Sequence, residues 1–137
     1  MTTSIDTNVI SAIWSAEVSS PQLIAQLGAA RASGAVLISP VVFAELHAYP
    51  GASEVFVRSF VERTDIMIDF KLSEGAWEEA GRRFSQYAES RRRSGGGSPR
   101  RLLPDFVIGA HALLQADSLL TLDADFYKLY FPELKLA

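Results

Sequence analysis

Short aliphatic runs alternate along this chain with longer segments whose apolar residues recur every three to four positions. Thr3 to Asp6 reads as a short strand that leads straight into a helix over Asn8 to Ser15. Pro21 suits a first helical turn behind Ser20, and Leu23, Ile24, Leu27 and Ala30 then keep helical spacing as far as Gly34. Ala35 to Ile38 is a strand by its aliphatic content. Ser39-Pro40 opens a helix that Val41, Val42, Ala44 and Leu46 carry to the break at Tyr49-Pro50-Gly51. A helix is expected from Glu54 to Arg63, a strand from Asp65 to Phe70, and a long helix behind Ser73 as its cap. Glu74, Glu78 and Glu79 fall near the positive end of that helix and arginines near its negative end, as the helix dipole favours. The segment Ser94 to Pro99 cannot continue it, and Gly95 to Gly97 reads as a hinge or as plain disorder. A helix from Pro104-Asp105, a strand from Ser118 to Leu122 and a short helix from Ala124 complete the pattern. The alternation predicts an α/β fold with a central, mostly parallel sheet and helices on both faces.

Four acids interrupt this apolar framework singly: Asp6, Glu45, Asp105 and Asp123. In an open α/β sheet, functional groups gather beyond the carboxyl ends of the strands, where helix N-termini also point. Asp6 ends the first strand, Asp123 follows the last, and Asp105 lies in the first turn of its helix, so all three reach that edge. Glu45 lies deeper in its helix and must lean back to join them. Each has an ordinary explanation, as a cap, a dipole partner, a turn residue or a solvated acid. Four such explanations at once require four coincidences. Carboxylates gathered in one cleft repel one another and are best tolerated around divalent cations, and hard oxygen ligands suit Mg²⁺ or Mn²⁺. That chemistry most often serves phosphodiester cleavage.

Composition narrows the reading further. At 137 residues, with 48% hydrophobic and 21% charged, residues 1–137 form one globular domain. The absence of cysteine excludes disulfides, thiolate metal sites and a cysteine nucleophile, and fits a cytoplasmic protein. No secretory signal and no apolar run long enough to span a bilayer are visible, so no membrane role is expected. The net charge of -3 hides an asymmetry: between Arg82 and Arg101 seven arginines face one acid, Glu89. Such a stretch is either a phosphate-binding rim beside an acidic cleft or a solvated helix face. Arg100 and Arg101 immediately precede the Asp105 helix and are placed to swing over the cleft; together with Arg91, Arg92 and Arg93 they are the candidate residues for binding a phosphate backbone. His47 and His111 read as ordinary helix residues.

The segments Asp6-Thr7-Asn8-Val9-Ile10, Glu45 in a helix after a short strand, Asp105 within PDFVIGAHAL, and Thr121-x-Asp123-x-x-Phe126 occur in that order across nearly the whole chain. This ordered set resembles the PIN-domain proteins, and among them the VapC toxins of bacterial toxin–antitoxin pairs. The resemblance implies a metal-dependent endoribonuclease in which Asp6, Glu45, Asp105 and Asp123 hold one or two Mg²⁺ or Mn²⁺ ions. Asn8 and Thr121 would orient the carboxylates or the bound water. Asp125 is an extra acid that either assists a second metal or caps the short helix near Ala124, and the cap is favoured. Cleavage would leave 5′-phosphate and 3′-hydroxyl ends. A homodimer is expected, as is an antitoxin protein that blocks the activity, with Trp14 as the candidate contact for an amphipathic antitoxin helix.

Other readings share parts of this pattern. A haloacid-dehalogenase-type phosphatase would want Asp-x-Asp after the first strand, where Asn8 stands, and a receiver domain would want a well-placed late lysine, which Lys128 is not. A housekeeping PIN-type RNA-processing nuclease would share every residue quoted. A non-catalytic RNA- or protein-binding module would keep the acids for structure alone.

Overall fold

The computed structural model describes residues 1–96 and 100–137; Gly97, Ser98 and Pro99, part of the expected hinge, lie outside the described residues. In chain order the elements are β1 (Thr3–Ile5), α1 (Thr7–Trp14), α2 (Ser20–Ser33), β2 (Val36–Ile38), α3 (Pro40–Leu46), α4 (Glu54–Thr64) and β3 (Met67–Ile68). They continue with α5 (Glu74–Arg93), α6 (Leu103–Gln115), β4 (Ser118–Leu120) and α7 (Ala124–Tyr130). The strands form one sheet in the order β3-β2-β1-β4, and every pairing is parallel. From β1 the chain steps outward to β2 and β3, then crosses back to β4. Right-handed crossovers therefore set α1 to α4 on one face and α5 with α6 on the other. The order reverses between β1 and β4, and a crevice opens beyond their carboxyl ends at such a switch point.

Strands β1, β2 and β4 are buried at every residue, which is why they read as continuous uncharged runs. Ile5, Ile38, Val42 and Leu119 form the middle of the core, and Phe106 of α6 meets Phe126 edge-on at 5.2 Å between ring centres. Helix α6 lies so close to Phe131 that a Cβ on Gly109 would fall 2.6 Å from the ring, so only glycine permits this approach. Ser39, Ser53 and Ser73 each cap their helices by accepting a backbone N–H. Asp6 holds the same position before α1, yet its carboxylate makes no cap bond.

Two expected strands are shorter than the aliphatic content suggests. Asp65 to Phe70 contracts to Met67–Ile68, because Asp65 closes α4 in the left-handed conformation (φ 61°) and Phe70 turns out to solvent. The last strand stops at Leu120, because the Thr121 side chain is drawn into the crevice. Leu136 pairs in parallel with Leu119 and covers the outer side of β4. Among the described residues no helix is long and apolar enough to cross a membrane.

Candidate active site

Asp6 lies at the switch point and is 5% exposed. Its Oδ2 accepts the Thr121 hydroxyl at 2.8 Å and the Tyr127 hydroxyl at 3.1 Å. No side chain among the described residues donates to Oδ1. Burial pushes the Asp6 carboxyl up to about 6, against the pull of those two hydrogen bonds. The same burial, with the Asp6 carboxylate beside it, raises the Tyr127 phenol and keeps it protonated as a donor. Glu45 reaches the crevice from α3, and the Thr7 hydroxyl holds its Oε1 at 2.6 Å. Asp105 enters from the first turn of α6, and burial raises its carboxyl as well. Asp6, Glu45 and Asp105 line one cavity of about 420 Å³, with Thr7, Asn8 and Glu17.

Asp123 follows β4 as expected and its charge acts on Asp105, but it is not among the described residues that line that cavity. Its carboxylate is ion-paired with the Arg101 guanidinium, which also lies 4.7 Å over the Phe126 ring. Thr121 joins this fourth acid to the first: its hydroxyl donates to Asp6 and accepts the Asp123 backbone N–H at 3.0 Å.

A model described as PIN domain matches residues 4–132. The chain belongs to the PIN domain family. Among solved structures, this PIN domain is similar to VapBC2 from Rickettsia felis bound to a DNA fragment from their promoter. That match has 22% identity and a TM-score of 0.68, and covers 100% of this chain and 98% of that chain. It is also similar to VapBC-1 from nontypeable Haemophilus influenzae, with 19% identity, a TM-score of 0.61 and coverage of 100% and 97%. At these identities the likeness is one of fold. No curated protein matches the sequence.

Among the described residues of the PIN domain, no three acidic or histidine side chains stand close enough to enclose an ion as they are. The donor chemistry nevertheless fits Mg²⁺ or Mn²⁺. Four carboxylates, Asp6, Glu17, Glu45 and Asp105, share one cavity, and burial raises the pKa of Asp6 and Asp105. The side chains that donate to Asp6 and Glu45 among the described residues are uncharged hydroxyls.

The remaining expected residues divide by location. Thr121 orients Asp6, whereas Asn8 accepts the Leu122 backbone N–H through Oδ1 at 3.1 Å and so fixes the β4–α7 turn. Asp125 is exposed, lies outside the cavity lining and is not the cap; the cap position of α7 belongs to Asp123. Arg92 and Arg93 pair with Glu89 at 3.0 and 3.4 Å, while Arg91 and Arg100 line a second, apolar cavity. Trp14 is half-buried and meets Tyr49, Phe56 and Phe60 edge-on at 4.9–5.2 Å, with its indole nitrogen buried and unpartnered among the described residues. His47 contacts the Phe43 carbonyl, and His111 is fully buried against Asp69.

Tyr127, Thr7 and Glu17 were not visible as site residues in the sequence. Thr7 stands inside the Asp-Thr-Asn triplet, next to the residues that drew attention. Tyr127 follows Asp123 by one helical turn, and that spacing is the signal that would have found it.

Proposed function

We propose that this PIN domain is a Mg²⁺- or Mn²⁺-dependent endoribonuclease, the toxin of a toxin–antitoxin pair that blocks translation in the cytoplasm. One observation carries the reading: Asp6, Glu45 and Asp105, from three separate elements, line a single cavity at the switch point of a parallel sheet. Asp6, Glu45, Asp105 and Asp123 would hold one or two ions, which supply a water of lowered pKa and neutralise charge on the phosphate. Thr121 and Tyr127 fix the Asp6 carboxylate by one oxygen, and Thr7 fixes Glu45 in the same way. The solved structures similar in fold are of VapBC pairs, which supports an antitoxin partner for this chain; a homodimeric toxin is part of the same proposal. The aromatic cluster around Trp14 is the surface offered to that antitoxin.

The test is cleavage of total cellular RNA by purified protein with Mg²⁺ or Mn²⁺, with EDTA, and with Asp6→Asn. Defined fragments that vanish both with EDTA and in the variant are expected. Equal cleavage by Asp6→Asn would remove the assigned site. A folded, metal-supplied, antitoxin-free protein that cleaves no RNA would favour a binding module.

A further inference from the structure

We propose that the second cavity, beside the acidic one, is a nucleotide subsite: it takes one unstacked base of single-stranded RNA, while arginines at its mouth hold the adjoining phosphate. This rests on the ribonuclease reading and adds to it where the strand runs. The cavity measures about 500 Å³ and lies between the C-terminal half of α5 and the residues leading into α6. That volume falls in the range of sites for small organic ligands. Its wall is apolar, formed by Phe84, Tyr87 and Ala88 of α5 with Leu102 and Leu103 opposite. Leu102 is 60% and Leu103 43% exposed, so two leucines stand open to solvent beside an unfilled apolar space.

The charge at the mouth is of one sign. Arg92, Arg100 and Arg101 line the cavity, and no acid does so among the described residues. Arg92 shares an exposed pair with Glu89, a contact weak enough for a phosphate to replace. An apolar wall under a cationic mouth selects a ligand with a flat apolar body and an attached anion, and a nucleotide has that chemistry. Stacking on side chains requires a base out of its helix, which excludes duplex.

Arg101 links the two cavities. Its backbone N–H donates to the Tyr87 hydroxyl at 2.5 Å, in the wall of the apolar cavity. Its guanidinium, paired with Asp123, is near enough to Asp105 of the acidic cavity to draw that carboxyl down against its burial. A strand whose base sits in the first therefore passes its next phosphate over Arg101 toward Asp105 and Asp6.

Binding of a single-stranded RNA of roughly ten nucleotides is compared with that of the same ribose–phosphate chain lacking bases, by fluorescence anisotropy. The wild type should favour the strand with bases about tenfold. Ala88→Trp, which fills the cavity, should bind both strands as the wild type binds the base-free one. Leu102→Ser, at an exposed position where folding is not at stake, should lose part of the preference. No preference in the wild type, or a preference that both variants retain, overturns the subsite even if RNA cleavage is confirmed. A change of sedimentation from dimer to monomer in Ala88→Trp would assign the cavity to contact between copies. Displacement of the RNA by an acidic, leucine-containing peptide from wild type but not from Ala88→Trp would assign it to a protein partner. Either result overturns the proposal. Failure of the ribonuclease reading is seen separately, as absence of metal-dependent cleavage.

Discussion

Asp6 and Asp69 both follow strands of the same parallel sheet, β1 and β3, and the protein treats them in opposite ways. Asp69 Oδ2 accepts His111 Nε2 at 3.0 Å and Gln115 Nε2 at 2.9 Å, and its Oδ1 accepts the Lys71 backbone N–H at 3.2 Å. Burial pulls the Asp69 carboxyl up, but these donors outweigh it and hold the group below the usual carboxylate range. Asp6 is more deeply buried, so that two neutral hydroxyls on one oxygen and the Thr7 backbone N–H do not offset its burial, and it faces Asp105 as a further negative charge. The strand-end position is therefore not what marks a functional acid. The difference lies in whether the fold supplies enough donors to satisfy the charge. At Asp69 it does, and the acid ties β3 to α6. At Asp6 it does not, and the shortfall is what a cation would meet.

The largest expected contrast is in activity. Asp6→Asn should lower RNA cleavage by on the order of a thousandfold, since metal assistance accounts for several kcal/mol of barrier. Asp69→Asn should leave the rate per folded molecule unchanged, and matched turnover assays with equal folded protein decide this.

Stability should move in opposite directions. Asp6 has its folded-state pKa raised from 3.8 to about 6, so it favours folding below the lower value and loses that contribution as pH rises through the upper one. Without divalent cations near neutral pH, Asp6→Asn should thus be more stable than wild type by roughly 3 kcal/mol, and the gap should close near pH 4. The Asp69 carboxyl is lowered, so its contribution is present above the unfolded value and lost as pH falls. Asp69→Asn should therefore cost about 1–3 kcal/mol near neutral pH. Urea titrations of the three proteins at both pH values measure these differences.

Tyr127→Phe sharpens the comparison at a single atom. It removes one of the two hydroxyls on Asp6 and keeps the buried ring, so Mn²⁺ binding by calorimetry should weaken about tenfold with little change in melting temperature. Unchanged affinity would make Tyr127 a packing residue only. The smallest effect belongs to Gln115→Ala, which takes one donor of several from Asp69 and should cost about 1 kcal/mol in the same urea titrations.

The fold was legible because β1, β2 and β4 are buried at every residue and α-helical periodicity separates them, while Ser39, Ser53 and Ser73 mark helix starts. The placement of Asp6 and Asp105 followed from the same grammar, since each stands at an element boundary. What the sequence hid were pairings between distant segments. Nothing near Asp123 announces Arg101, 22 positions away, and nothing near His111 announces Asp69, 42 positions away. The expectation for Arg101 came from its place before α6, and nothing in the sequence hints at the ion pair with Asp123 that it also makes. Tyr127 was hidden for another reason: an aromatic residue at helical spacing reads as core, and this one is core in its ring and polar only at its tip.

The Thr121 hydroxyl has one proton, and Asp6 holds it, so its lone pair is left for the Asp123 amide. One atom thus rivets the loop after β1 to the loop after β4, so both contacts depend on the position of a single oxygen. Thr121→Ser preserves the rivet, whereas Thr121→Val breaks both joints together.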